Sequence, residues 1–444
     1  MVREDHSFIY GRPTRYGICR YRGNRILGDA LANLHAQAGL HKTSSRPLGI
    51  FTARRLQAYG YALVAVYAVF LATVFRAGSW IVDNAGLPIY TDFACAWAAG
   101  VQALHGDAAL LYDPAEFVKV QAALLGPKNY FYPNWPYPPT FFLALAPFTA
   151  LPYLWAFITW DVVTLIGFIV IVYLIVRQPP AVALVLASPF TVWNFLAAQN
   201  GFLTGSLLGA GLLFLERQPV LAGVFIGCLT YKPQFGILLP IALSASGRWR
   251  AFASAAVTAA LLAGASIAAF GTGVWAEFPR QLVAQSNVNF FSGPDSDWGY
   301  LQSVYGLIRT LHASAALAWL AQGTVVLAVA IIVWFVWRSP VRYSLKAATL
   351  SASALIATPY AFAYDLPVLA IPVAFLARDQ IRCGLLQAEQ TILIGLFAVI
   401  LALLVVFQDR PGEITFGSIP LGPVVITTLL CMILRRARQQ AAFA

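Results

Sequence analysis

Charge is what this sequence has least of. Asp, Glu, Lys and Arg make up 11% of its 444 residues, where a soluble domain carries about 25%. That is too little to coat a water-facing surface of this length, so a string of soluble domains is excluded. Cysteine is also sparse. The five residues at 19, 95, 228, 383 and 431 include no CxxC pair, which argues against a disulfide framework or a zinc site. There is no P-loop, no HExxH and no GxSxG in a suitable context. Nor is there a repeat with a period of roughly 20–50 residues. No apolar run follows the first basic residues, so the N-terminus does not read as a signal peptide.

What is present is apolar. Hydrophobic residues reach 59% and mean hydropathy is +0.71. The apolar segments run from about residue 56 to residue 435, which places the whole chain in a bilayer. The net charge of +11 is unevenly spread. Residues 1–55 hold ten Lys/Arg and three acids, so this segment reads as a disordered cytoplasmic tail held near anionic lipid.

A bilayer core of roughly 30 Å takes about 20 helical residues. Leu56 to Phe75, preceded by Arg54 and Arg55, is the clearest span and puts the N-terminus inside. Residues 76–138 then form a mildly acidic outer loop. In it Phe93–Leu104 and Pro114–Leu125 read as short interfacial helices, the second opened by Asp113 as N-cap and Pro114 at the first helical position. The aromatic, proline-rich run Tyr130–Pro139 resists helix and suits the headgroup zone.

Twelve later apolar segments follow. They are punctuated by basic clusters at Arg177, Arg217, Arg248/Arg250, Arg338/Arg342/Lys346, Arg378/Arg382 and Arg435/Arg436/Arg438. All six clusters fall inside if short segments pair as hairpins and Thr140–Leu151 dips in without crossing. The outer hairpin tips are then Gln199-Asn200-Gly201, Lys232-Pro233 and Pro359-Tyr360. The expected fold is an all-α polytopic membrane domain over 56–435 with about 12 transmembrane helices and short interfacial or re-entrant helices. A second outer loop covers 271–312, and 436–444 form a cytoplasmic C-terminal tail.

Among polar residues, Asp92 stands directly before an aromatic at the start of a short helix. It can serve as a cap there or as a general base at the water–lipid boundary. Asp107 and Asp113 read as caps and turn residues. Asp161, within a span, reads as a polar contact between helices or near the inner face, not as part of a site.

The string D-F-x3-W-x2-G-x5-G-x4-L-Y-D, from Asp92 to Asp113, resembles the first outer loop of glycosyltransferase family 87, in the GT-C class. Four further stretches resemble family motifs in the same order. They are Tyr137-Pro138-Pro139, the tip Gln199-Asn200-Gly201 (with Ala198 where the family has Gly), Gly223-x3-Gly227-x4-Lys232-Pro233, and Thr358-Pro359-x4-Tyr364-Asp365. The resemblance implies a GT-C-like fold and transfer of a sugar, mannose by family analogy, from a polyprenyl phosphate to a lipid or glycan acceptor. It places the site on the extracytoplasmic side of the cell (inner) membrane. It also implies Asp92 as catalytic base, since Asp92 matches the family's first-loop Asp.

Such a reaction needs a carboxylate to take the hydroxyl proton and donors to offset charge on the leaving phosphate. Lys232 is the candidate phosphate contact, because a charged Lys near the bilayer centre costs about 2.5–3.5 kcal/mol without a cavity or an anionic partner. Arg309 and His312 are alternative phosphate contacts. Tyr137, Gln199, Asn200, Tyr364 and Asp365 are candidate sugar contacts. No cofactor or metal site is expected, although carboxylates in the outer loops leave room for a divalent cation; nucleic acid is not an expected partner. The rival readings are a transporter or flippase for a polar lipid or solute, and a non-catalytic subunit of envelope assembly.

Overall fold

The structure is a computed structural model that describes residues 53–126, 134–287, 298, 301–386, 388–406 and 420–441. The basic N-terminal tail, apart from its last residues, lies outside them, as do Asn289, Asp295 and Asp297 of the second outer loop. Among the described residues there are helices and isolated bridges but no strand.

Four helices are long and apolar enough to cross a membrane: α1 (Ala53–Arg76), α5 (Tyr153–Val176), α11 (Trp249–Phe270) and α14 (Ala315–Arg338). At 1.5 Å per residue the 24-residue helices reach about 36 Å. α1 stands at the edge. Of its residues only Gly60 is buried, where an added Cβ would meet the Ala183 backbone at 2.9 Å. Val66, Val69 and Phe70 point outward, as suits contact with lipid.

Between α1 and α5 lie α2 (Asp92–His105), a 3-10 turn at Ala108–Tyr112, α3 (Pro114–Leu125) and α4 (Thr140–Thr149). The Asp113 carboxylate accepts from the Ala115 and Glu116 amides and Asp107 caps the 3-10 turn, so both behave as expected. α4 has ten residues, about 15 Å, half of what a crossing needs. The apolar stretch Ala181–Ala198 falls on two helices, α6 (Pro179–Leu186) and α7 (Pro189–Ala197), bent by 58°. Pro189 cannot donate the hydrogen bond that would continue α6, and Ser188 is extended.

Then follow α8 (Gly201–Phe214), α9 (Pro219–Gly227), 3-10 turns at Cys228–Tyr231 and Pro233–Phe235, and α10 (Leu239–Ala245). α9 packs closely on α11. A Cβ on Gly223 would lie 2.5 Å from the Ala251 carbonyl, and one on Gly227 2.7 Å from the Ala255 carbonyl. The Gly-x3-Gly spacing is therefore the means by which two backbones meet.

The C-terminal half holds α12 (Gly273–Asn287), α13 (Val304–Thr310), α14, α15 (Tyr343–Ala357), a 3-10 turn at Ala363–Leu369, α16 (Ala370–Cys383), α17 (Glu389–Val406) and α18 (Gly422–Ala441). α15 is the axis of this half, buried along nearly its whole length. Its Thr349 and Ser351 hydroxyls donate back to carbonyls four residues earlier, which lets a helix rich in small polar residues sit in an apolar core.

The basic clusters gather at one end of the helices. Arg177, Arg248, Lys346, Arg378 and Arg382 lie in a common field with Glu216 and Tyr343. Beside them a buried ion network clasps α18. Arg436, with no exposed surface, donates to Asp379 at 2.9 Å, Glu389 at 2.5 Å and the Gly384 carbonyl at 2.7 Å. Arg342 grips Asp379 from the other side at 2.6 Å. α18 runs on to Ala441, through the expected start of the C-terminal tail, and Arg436 is an anchor. Cys95, Cys228 and Cys431 are free.

Candidate active site

At the opposite end from the basic clusters, four chain turns meet. α8 leaves this end at Asn200 and reaches the basic end near Leu215, whose carbonyl accepts from Arg248 at 3.0 Å. α15 makes the reverse journey, from Arg342 to the Thr358–Tyr360 turn. Their 14 and 15 residues separate the two ends by about 20 Å.

The first contribution is Asp92, the opening residue of α2. Thr91 is the N-cap, and its hydroxyl accepts from the Ala94 amide at 3.3 Å. Thr91 is itself held by the Tyr153 hydroxyl at 3.1 Å. Capping is thus done by the residue before, and the Asp92 carboxylate is left to line a cleft. That cleft measures about 230 Å³, open solvent included, and is lined also by Phe93, Ala96, Tyr137, Phe141, Trp160, Ala198, Gln199 and Asn200. Burial pushes the Asp92 carboxyl up to about 6; a hydrogen bond from Gln199 opposes this, Asp365 adds to it and Lys232 opposes it.

The second contribution is the tip between α7 and α8. Gln199 Oε1 accepts from the Tyr137 hydroxyl at 3.3 Å and from the Asn200 amide at 3.1 Å. The third is the turn after α9. Lys232 Nζ donates to Asn200 Oδ1 at 2.7 Å and pairs with Asp365. Its ammonium also sits over the Phe235 and Tyr364 rings, 5.5 and 5.6 Å from their centroids. The fourth is the turn after α15. The other oxygen of Asp365 accepts from the Phe362 amide at 3.1 Å, and the Tyr364 carbonyl accepts from Asn194 at 3.0 Å. Gly201 makes this junction possible: a Cβ there would lie 2.1 Å from the Tyr364 carbonyl oxygen.

Asp92, Tyr137, Gln199, Asn200, Lys232, Tyr364 and Asp365 are therefore brought together as the sequence suggested. Their placement differs in one respect. Lys232 and the expected sugar contacts Tyr364 and Asp365 do not line the cleft; Lys232, only 4% exposed, and the fully buried Asp365 sit behind Asn200. Arg309 and His312 are not in the group. Arg309 stacks on Trp298 at 4.5 Å and donates to the Ala313 carbonyl at 2.8 Å, and His312 is exposed with left-handed backbone. Their segment does abut the site: Gln302 donates to the Ala361 carbonyl at 2.7 Å.

Sequence reasoning missed Trp160. It lines the cleft within an aromatic wall, 6.0 Å from Phe93 and 6.1 Å from Phe141. Its buried indole N–H has no partner among the described residues, which makes it an unsatisfied donor beside the cleft. Only the position of Trp160 beside Asp161, in mid-span, hinted at it. Asp161 is fully buried, and neither carboxylate oxygen has a partner among the described residues, so it does not make the expected polar contact between helices. No group of three or more His, Cys, Asp or Glu that would hold a metal occurs among the described residues.

Helices long and apolar enough to cross a membrane, with a cleft at one end that has a carboxylate in its wall, define a helical protein of the membrane class. Residues 135–359, about half of the chain, match the sequence profile of glycosyltransferase family 87, and the chain belongs to that family. It is accordingly a membrane-embedded transferase of sugars. No curated protein and no solved structure gave a match. The matched stretch contains Tyr137, Gln199, Asn200 and Lys232; Asp92 and Asp365 lie outside it and are joined to it by the fold.

Proposed function

We propose that the protein transfers a sugar, mannose by family analogy, from a polyprenyl phosphate to a hydroxyl of a lipid or glycan acceptor, with inversion. The carrying observation is the Asp92 carboxylate, uncapped and half-buried in the cleft wall. A base that loses its proton near pH 6 is ionised at neutral pH yet basic enough to accept a proton as attack develops. The acceptor oxygen forms a bond to the anomeric carbon and passes its proton to Asp92. The bond from that carbon to the phosphate oxygen breaks, and polyprenyl phosphate leaves with the electron pair. One displacement at an oxocarbenium-like centre inverts the configuration.

The Gln199 and Asn200 side-chain amides would donate to the sugar and phosphate oxygens, and the Tyr137 hydroxyl, which burial keeps neutral and which donates to Gln199, would accept from a sugar hydroxyl. Among the described residues Asp92 is the one carboxylate that lines the cleft, and Asp365 is held by Lys232. The cleft faces the extracytoplasmic side of the cell (inner) membrane, with about twelve crossings and both termini inside. The gathering of cations at the far end supports this.

The test is purified protein with a polyprenyl-phosphate sugar and an acceptor extract. Wild type gives product of inverted configuration, and Asp92→Asn loses at least about 10²-fold in turnover. An Asp92→Asn variant with wild-type turnover removes Asp92 as the base.

A further inference from the structure

Lys232 and Asp365 form the most deeply buried ion pair at the site, with side chains 4% and 1% exposed. Withdrawing two charges from water costs several kcal/mol for each ion, and apolar replacements are often no less stable. The pair is therefore better explained by what it holds than by stability. Each partner has a second bond. Asp365 fixes the Phe362 amide at 3.1 Å. Lys232 fixes Asn200 Oδ1 at 2.7 Å.

From Asn200 the chain of contacts continues. The backbone amide of Asn200 and the Tyr137 hydroxyl both donate to Gln199 Oε1. A side-chain amide whose oxygen receives two donors has its orientation decided, with its NH2 turned away from them. The NH2 of Gln199 is then the group turned toward Asp92, which lines the same cleft.

We propose that Lys232 and Asp365 are positioning residues: together they lock the Gln199–Asn200 tip so that Gln199 donates to the Asp92 carboxylate, and Lys232 does not contact the donor phosphate. The proposal rests on the transfer reading only for its kinetic consequences. The titratable groups that face Asp92 are Cys95 on its own helix, Tyr137, Lys232 and Asp365.

The experiment uses the full chain in nanodiscs and the variants Lys232→Met, Asp365→Asn and the double substitution. The double removes both charges and so avoids leaving one buried alone. The Asp92 carboxyl band, identified by its loss in Asp92→Asn, is titrated by infrared spectroscopy, and kcat and donor KM are measured in parallel. The expected result is a midpoint above wild type in Lys232→Met, where the cation is gone, and below it in Asp365→Asn, where the neighbouring anion is gone. All three variants lose about 10- to 100-fold in kcat with donor KM changed less than about threefold. The double is no worse than either single, because the pair acts as a unit.

Midpoints that stay at the wild-type value overturn the proposal. So does a Lys232→Met or double variant with wild-type kcat and raised donor KM, which is the behaviour of a phosphate contact. Midpoints that move while the wild type transfers no sugar leave the positioning role standing and remove the transfer reading.

Discussion

An aspartate at the first position of a helix has two employments, capping and chemistry, and its neighbour decides which. Thr91 accepts from the Ala94 amide, so the Asp92 carboxylate is free for the cleft. Its carboxyl, pushed up to about 6 chiefly by burial, sets a pH dependence of known sign. Below that value the base is protonated and cannot accept a proton. We expect kcat/KM to fall about tenfold per pH unit on the acid side of about 6 and to level off above it; a flat profile down to pH 5 means that another group is the base. Asp161 makes the opposite case. It is buried without a partner, and an unsatisfied polar group in an apolar core is destabilising. Asp161→Leu is expected to raise the melting temperature in detergent by about 2 °C or more with turnover unchanged, as read in a thermal shift assay. A fall in melting temperature contradicts this.

Among the elements, short helices matter more here than the long ones. α7, α8 and the two 3-10 turns around Lys232 end at the site because they are too short to go further, and their ends carry the polar groups. Irregular backbone at membrane depth is tolerated where it lines a cavity or is buried in protein. At the other end, α18 is held by Arg436 between Asp379 and Glu389. Arg436→Met leaves two buried carboxylates with one cation, Arg342, on Asp379 alone. A loss of about 3–5 kcal/mol in stability is expected, measured as the shift in the denaturant midpoint. Substitution without any such shift would show that the clasp is dispensable.

For the whole molecule, the arrangement is one of two ends. Half-length and full-length helices run between a basic end and an end with Asp92 in its cleft. The transferase reading requires the second to face out. An impermeant thiol reagent applied to intact cells is expected to label Ala85→Cys, in the exposed turn after α1, and to spare Arg250→Cys until the membrane is opened. Labelling of Arg250→Cys from outside reverses the orientation.

Much of this was legible in the sequence. Charge scarcity and long apolar runs assigned the chain to the bilayer. Local periodicity located most of the helices, and Asp113-Pro114 marked the start of α3. Short motifs in order pointed to the family. These signals are local, so one dimension suffices to read them. Tertiary structure alone decided the rest. Lys232 meets Asn200 across 32 residues and Asp365 across 133, and no composition or spacing fixes such distances. Packing left Arg309 and His312 outside the group, set Lys232 behind the cleft, and left the Trp160 indole N–H without a partner among the described residues. Burial and the partner reached in space determine what a polar side chain does, and both exist only once the helices have packed.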